Sequence, residues 1–307
     1  MAQITPSLDG LSRRSFLSIA GWLPLAASQA STQLGLVAEG KYALKKRPIG
    51  LELYSVRKEL ERDLPGTLNQ VASMGYQVVE FFAPYSDWTI PYAKEVRRRM
   101  DDLGLRCFST HNNHLESFIP GPAMAKTIEL NQVLGTRYLI MSSAPKIANG
   151  REGWQSLCGR LTQATTELQK HGLSAGYHNH AAEWAKLDGG GRIMDVIAAC
   201  TPPEFVLQFD VGTCVSTGED PVAWIKQNPG RIKSIHLKDW APGTAADEKG
   251  YRVLFGEGVT PWKELIAAAD SVGGVEYYLM EQEGSRYGEF ETARKCLQNW
   301  KKLKSEA

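Results

Sequence analysis

The stretch GWQSLCGRLTQATTELQKHGLSAGYHNH, Gly153 to His180, decides the fold. Its first part predicts a long helix that ends at Gly172, because glycine commonly terminates helices. Its second part, Leu173–His180, begins as a short apolar run and finishes with polar side chains. A helix followed directly by an apolar strand is the repeating unit of proteins that build a parallel sheet. The polar end of the strand marks where chemistry is expected.

The same alternation of apolar runs and helices extends along the rest of the chain. The runs lack a clean apolar–polar alternation, which is typical of a parallel sheet covered on both faces. Eight strands, each followed by a helix, predict a single (β/α)8 TIM barrel over residues 47–307. The main competitor is a doubly wound open sheet, but no GxGxxG sequence follows the first strand. The predicted strands are Pro48–Ser55, Tyr76–Phe82, Leu105–His114, Thr136–Ser143, Leu173–His180, Glu204–Gly212, Arg231–Trp240 and Glu276–Glu283.

The N-terminal segment has a different character from the barrel. SRRSFL, Ser12–Leu17, precedes a short apolar run, and small residues allow cleavage after Ala30. This pattern predicts a twin-arginine export signal over residues 1–30 and a linker over residues 31–46. The run is short and interrupted by Pro24, so we expect no membrane anchor after signal removal. The export machinery is thus an expected partner, and the expected location is periplasmic or secreted.

Composition excludes several classes of function. Lys and Arg number 35 against 34 for Asp and Glu, which leaves no basic surface for nucleic acid. The five cysteines are odd in number and have no CxxC spacing, so a disulfide framework is not expected. Nothing in the sequence decides between a monomer and a homo-oligomer.

Polar side chains gather at the predicted carboxyl ends of the strands, where TIM barrels place their active sites. Asp210, His236 and Glu281 come from three successive strands and should converge on one point. With a ligand from the fifth strand they form a mixed nitrogen and oxygen set. Such a set suits one divalent ion of Mn, Zn, Co or Fe better than Ca or Mg.

Several motifs carry a family resemblance over about Lys46 to Leu303. The chain resembles the sugar phosphate isomerase/epimerase superfamily of xylose-isomerase-like barrels. The motifs are IGLELYSVRKEL, GYHNHAAEW, FDVGTC, IHLKDW and GEGVTPW.

The resemblance implies a metal held by a Glu from strand five, an Asp from strand six, a His or Gln from strand seven and a Glu from strand eight. Asp210, His236 and Glu281 match the last three positions. The first position departs from the pattern, because His178 aligns where epimerases have their Glu. His178, His180 and Glu183 therefore remain open as the fourth ligand, with Glu183 favoured because a carboxylate keeps the usual ligand charge.

The same alignment suggests roles for further side chains at the mouth of the barrel. A metal-bound carbonyl would let a neighbouring base remove the adjacent proton, and imidazole is suited to proton transfer near neutral pH. The expected catalytic residues are His178, His180, Lys238 and Glu281, and the expected substrate contacts are Glu52, His111, Trp184 and Trp240.

These inferences favour a metal-dependent isomerase or epimerase of a sugar-like carbohydrate. The alternative is a lyase or dehydratase that acts on keto-sugars or 3-keto-glycosides, since it begins with the same proton removal. An endonuclease IV-like repair enzyme is disfavoured by the neutral charge and by too few ligands for a trinuclear site. A non-catalytic sugar-binding protein is a further alternative.

Overall fold

A computed structural model describes residues 47–306. The predicted export signal (residues 1–30) and linker (residues 31–46) lie outside the described residues, so both stay predictions. Within residues 47–306, no helix combines the length and apolar character needed to cross a membrane.

Eight parallel strands close into a barrel in sequence order. Closure comes from the pairing of the last strand with the first, in which Gly50 lies opposite Leu279. The predicted (β/α)8 fold is therefore confirmed. The strands are β1 (Ile49–Glu52), β2 (Val78–Phe81), β3 (Arg106–Asn112), β4 (Tyr138–Met141), β5 (Ser174–His178), β6 (Val206–Asp210), β7 (Ser234–Leu237) and β8 (Tyr277–Met280).

The helices surround the barrel and begin and end at residues suited to those positions. The helix Leu64–Met74 is closed by Gly75, whose φ of 102° is readily adopted by glycine. The helix Pro221–Gln227 starts after Asp220, which accepts hydrogen bonds from the amides of Val222 and Ala223. The α-helices are α1 (Arg57–Arg62), α2 (Leu64–Met74), α3 (Ile90–Asp102), α4 (Pro122–Leu134), α5 (Gly150–Gln169), α6 (Ile193–Cys200), α7 (Val211–Ser216), α8 (Pro221–Gln227), α9 (Trp262–Ala268) and α10 (Glu289–Ser305).

The barrel interior changes from apolar to polar along the strands. Val78, Tyr277 and Leu279 form a small apolar cluster separate from the main core. Two residues beyond Val78, Glu80 points to the same face of β2, because side chains alternate along a strand. The Glu80 carboxylate is fully buried. The barrel thus has an apolar base below a layer of buried polar groups.

Candidate active site

A cluster of buried polar side chains lies at the carboxyl ends of the strands. Its members come from β2, β3, β5, β6, β7 and the segments that follow β7 and β8, and each is less than a tenth exposed. They are Glu80, His111, His178, Gln208, Asp210, His236, Lys238 and Glu281. The fold therefore brings together residues up to 201 positions apart, from Glu80 to Glu281.

His236 lies between two carboxylates. Its Nδ1 donates to Glu281 Oε2 at 2.5 Å, and its Nε2 donates to Glu80 Oε2 at 2.8 Å. Burial alone would lower the pKa of His236, but the two carboxylates outweigh it and raise that pKa well above its usual value. Burial would likewise raise the pKa of Glu80, but His111 and His236 lower it to about 2. The three groups form a charged, hydrogen-bonded unit.

Gln208 orients two imidazoles at once. Its amide nitrogen donates to Glu80 Oε1 at 2.8 Å and to Ser234 Oγ at 3.0 Å. Its Oε1 is therefore left to accept hydrogen bonds from His111 Nε2 at 2.7 Å and from His178 Nδ1 at 3.1 Å. A proton on Nδ1 of His178 leaves the lone pair of Nε2 available as a metal ligand.

His178, Asp210 and Glu281 form a candidate metal-binding group. Each offers one ligand atom, and these atoms lie within 4.8 Å of one another. His178 Nε2 is 3.8 Å from Asp210 Oδ2. Burial lowers the pKa of His178 well below its usual value, reinforced by the imidazole of His236, so the ring is neutral. His111, His178 and His236 satisfy the same distance limit, and His178 belongs to both groups.

Asp210 supplies a buried oxygen that lacks a hydrogen-bond partner. Its Oδ1 accepts the backbone amide of Thr213 at 2.9 Å, which fixes the carboxylate at the start of α7. Its Oδ2 is buried and has no hydrogen-bond partner among residues 47–306. An unpaired buried carboxylate oxygen is costly, so the arrangement suits a cation at this position.

Lys238 lies beside the carboxylates of the group. Its Nζ is 3.4 Å from Glu281 Oε1 and 3.7 Å from Asp210 Oδ2, and it donates a short hydrogen bond to Glu283. Burial would lower the pKa of Lys238, but Glu281, Asp210 and Glu283 outweigh it and raise that pKa well above its usual value. A fixed ammonium group therefore faces the candidate metal ligands.

The structure places Glu183 differently from the expected position. Glu183 Oε1 accepts from the Tyr177 hydroxyl at 3.0 Å, and Oε2 accepts from the backbone amide of His180 at 2.7 Å. The Glu183 carboxylate thus fixes the turn after β5, and it is absent from the two candidate ligand groups of residues 47–306. His178 occupies the fifth-strand position instead. We therefore replace Glu183 by His178 in the candidate ligand set. We also leave out the predicted ligand His236, because both of its ring nitrogens donate to carboxylates.

The two expected aromatic contacts also lie outside the pocket. Trp184 is only 3% exposed and packs edge-on against Trp224, with ring centroids 5.1 Å apart. The Trp240 backbone joins the loop after β7, where its amide donates to Asp239 Oδ1 at 2.9 Å. Neither tryptophan lines the cavity that opens at this end of the barrel.

A cavity of about 280 Å³ opens above the candidate metal group. Three of the predicted site residues, Glu52, His111 and His180, line it. Glu52 Oε2 accepts the amide of Tyr54 at 2.8 Å, whereas its buried Oε1 has no hydrogen-bond partner among residues 47–306. The lining residues are Glu52, Tyr54, Phe82, His111, Asn113, Ser142, Ser143, His178, His180, Glu281 and Glu283.

Two roles were not predicted from the sequence: the hydrogen bonds of Gln208 to two imidazoles and the hydrogen bond of Glu80 to His236. Gln208 is a polar residue inside the apolar run Glu204–Gly212, two positions before Asp210 and therefore on the same face of β6. That placement was a usable signal, because an amide inside a barrel must find hydrogen-bond partners. Glu80 was visible as a strand-end carboxylate, but its contacts with His236 required the structure.

The closed parallel barrel, with its polar cluster at the carboxyl ends of the strands, has the architecture of TIM-barrel enzymes. The chain belongs to the xylose isomerase-like TIM barrel family, whose model matches residues 68–303.

Individual relatives are more distant. An inosose dehydratase from Bacillus cereus is 36% identical over 90 residues, which is 29% of each chain. An inosose dehydratase from Geobacillus thermodenitrificans is 24% identical over 225 residues, covering 62% of this chain and 75% of the relative. The structure of a sugar phosphate isomerase/epimerase from Parabacteroides distasonis is 25% identical, with a TM-score of 0.68. That match covers 84% of this chain and 94% of the solved one.

Proposed function

We propose that this protein is a metal-dependent enzyme that removes a proton next to a carbonyl of a sugar-like substrate and then eliminates a neighbouring oxygen substituent. One observation carries the proposal. The ligand atoms of His178, Asp210 and Glu281 lie within 4.8 Å of one another, and two of these residues share the neighbouring ammonium group of Lys238.

The residues fit a divalent cation. The buried Oδ2 of Asp210, which accepts no hydrogen bond within residues 47–306, lies 3.8 Å from the Nε2 of His178, whose Nδ1 proton is fixed by Gln208. A mixed set of imidazole and carboxylate suits Mn, Zn, Co or Fe. When bound, the ion supplies Lewis acidity that polarises a substrate carbonyl.

The chain's own side chains divide the proton transfers between two sides of the cavity. His180 is exposed and lines the cavity, with its ring 4.9 Å from that of His178, so we assign it the removal of the substrate proton. Glu52 lines the same cavity, and its unpaired Oε1 can donate a proton to the departing oxygen. Burial, together with Glu281 and Glu80, raises the pKa of Glu52 well above its usual value, which keeps that proton in place.

Lys238 acts as a positioning residue in this proposal, because it does not line the cavity. Its buried ammonium group pairs with Asp210, Glu281 and Glu283, so it holds the Glu281 and Glu283 carboxylates at the cavity wall. His111, hydrogen-bonded to Gln208, forms part of the opposite wall.

Elimination is favoured over the isomerisation or epimerisation that the sequence first suggests. Only elimination needs an acid for a departing oxygen, and Glu52, whose raised pKa keeps it protonated, lines the same cavity as His180. The relatives named inosose dehydratase support the same reaction type. Isomerase or epimerase activity shares the first step, and the match to a sugar phosphate isomerase/epimerase supports it at superfamily level.

The test uses metal-reconstituted protein in D2O with a 3-keto-glucoside as substrate. We expect an unsaturated keto-sugar, detected by its ultraviolet absorbance and mass, and no product from Asp210→Asn. Deuterium incorporation with an intact carbon and oxygen skeleton would favour the isomerase or epimerase reaction. The absence of both elimination and exchange across keto-sugars and ketoses would overturn the proposed enzyme class.

A further inference from the structure

A second and larger cavity lies beside the catalytic pocket. Its volume is about 680 Å³, against about 280 Å³ for the pocket itself. Both values are of the order of ligand sites in proteins, but the smaller one suits a single sugar-sized ring. We call the larger cavity the aromatic groove, and its apolar lining includes Leu60, Leu64, Phe82, Pro84, Trp88 and Tyr92.

The aromatic groove adjoins the catalytic pocket. Phe82 lines both cavities, and its ring meets the Tyr54 ring edge-on at a centroid distance of 5.2 Å. Arg57 lies over the Tyr54 ring at 4.4 Å and donates to the backbone carbonyl of Glu283 at 3.1 Å. Since Glu283 also pairs with Lys238, one set of contacts joins the groove to the catalytic residues.

The groove exposes aromatic rings. Among residues 47–306, the exposed large aromatic side chains are Tyr54 at 38% and Tyr92 at 39%, and both border the groove or the wall between the cavities. Trp88 packs edge-on against Tyr92 with centroids 5.3 Å apart, which fixes both rings. Fixed, partly exposed rings provide surfaces on which a ligand ring can stack.

The charged side chains of the groove are largely engaged by the protein itself. Arg57 bonds two backbone carbonyls, Arg62 pairs with Glu59, and Asp63 accepts the amide of Gly66 at the start of α2. Glu61 also lines the groove, so its charged lining residues are two basic and two acidic and give it no net charge to attract an ionic ligand. The groove therefore favours an uncharged, flat and apolar group.

The geometry points to an aromatic aglycone as the occupant of the aromatic groove, so that the substrate is an aryl glycoside whose oxidised sugar lies in the catalytic pocket. This inference rests on the proposed elimination, in which the proton next to the carbonyl passes to His180 and a carbon–carbon double bond forms. The bond between the sugar carbon and the aglycone oxygen breaks with its electron pair on oxygen. That oxygen takes the proton of Glu52, and the aglycone leaves as a neutral phenol. Glu52 is hydrogen-bonded to the amide of Tyr54, whose ring forms the wall toward the groove.

The experiment compares kcat/KM for phenyl and methyl 3-keto-β-glucosides with the metal-reconstituted protein. We expect the phenyl-to-methyl ratio to exceed about tenfold after correction for the intrinsic reactivity of each leaving group, and Tyr92→Ala to lower it by about three- to tenfold, as expected for the loss of one ring contact. Val272→Ala, which removes an equally exposed apolar side chain elsewhere, is the matched control and should leave the ratio unchanged. Turnover of both substrates with a ratio that Tyr92→Ala does not alter would overturn the groove assignment and leave the elimination intact.

A binding measurement separates the two proposals if neither substrate turns over. The unoxidised phenyl and methyl β-glucosides are titrated calorimetrically into wild-type protein and Tyr92→Ala. Tighter binding of the phenyl compound that Tyr92→Ala abolishes would support the groove while the elimination fails. Equal binding of both glucosides would overturn the groove assignment.

Discussion

The assignment of His178 rather than Glu183 to the metal site predicts opposite outcomes for two conservative variants. His178→Asn keeps an amide nitrogen near the position of Nδ1, which bonds Gln208 Oε1 at 3.1 Å, and removes Nε2, which lies 3.8 Å from Asp210 Oδ2. Glu183→Gln keeps an oxygen for the His180 amide, and its NH2 group can donate to the Tyr177 hydroxyl.

The expected loss of metal affinity depends on whether the variant removes a ligand atom or only a supporting group. Loss of a group that only supports a metal ligand typically weakens metal binding by 10- to 100-fold. Loss of the ligand atom itself should exceed that range, so we expect His178→Asn to weaken binding at least about 100-fold, or roughly 3 kcal/mol. Glu183→Gln should remain within about threefold of the wild type, because its carboxylate stabilises the turn after β5.

The assay is calorimetric titration of Zn²⁺ or Mn²⁺ into chelator-treated protein, with metal content measured by elemental analysis after desalting. Circular dichroism and thermal unfolding of both variants control for loss of fold. If Glu183→Gln lost the metal while a folded His178→Asn kept it, the reasoning from the geometry would be refuted.

Three further predictions concern the residues around the candidate metal group. Gln208→Leu should weaken metal binding by about 10- to 100-fold in the same titration, because His178 loses the acceptor that fixes its Nδ1 proton. Lys238→Met should lower kcat/KM about 100-fold while metal content stays stoichiometric, since its ammonium group holds the Glu281 and Glu283 carboxylates at the cavity wall. Glu80→Gln should make the free energy of unfolding depend less on pH at acid pH. The reason is that His111 and His236 outweigh burial and lower the pKa of Glu80 from 4.5 to about 2.

The sign of the Glu80 effect follows from that lowered pKa. Above pH 4.5 the carboxylate stabilises the folded protein by about 3 kcal/mol, and this contribution is lost as the pH falls toward 2. Urea unfolding between pH 2 and 6 measures the difference. If the free energies of unfolding of the wild type and Glu80→Gln changed in parallel with pH, the role given to Glu80 would be wrong. Unchanged kcat/KM in Lys238→Met would contradict the role of Lys238, and unchanged metal affinity in Gln208→Leu would contradict the role of Gln208.

Much of the fold could be predicted from the sequence because the signals were local and repeated. Apolar runs alternate with helices that end at residues such as Gly75 and begin after residues such as Asp220, and each signal acts within a few residues. Parallel strands then meet at one end of the barrel, so the convergence of Asp210, His236 and Glu281 needed no knowledge of their contacts.

The fifth-strand position could not be resolved in this way. His178, His180 and Glu183 lie within six residues, and which of them faces the centre depends on the turn after β5. That turn is fixed by hydrogen bonds from Tyr177 and the His180 amide to Glu183, a network with no distinct sequence signature. The aromatic groove could not be predicted either, because its walls come from two separate segments of the chain, residues 57–65 and 81–92.

Anomalous diffraction from crystals of the metal-reconstituted protein, recorded at the absorption edge of the bound ion, locates the metal site. We expect one strong peak within about 2.0–2.3 Å of His178 Nε2 and of carboxylate oxygens of Asp210 and Glu281. A peak bound instead by Glu183, or no peak at this end of the barrel in fully loaded crystals, would contradict this expectation.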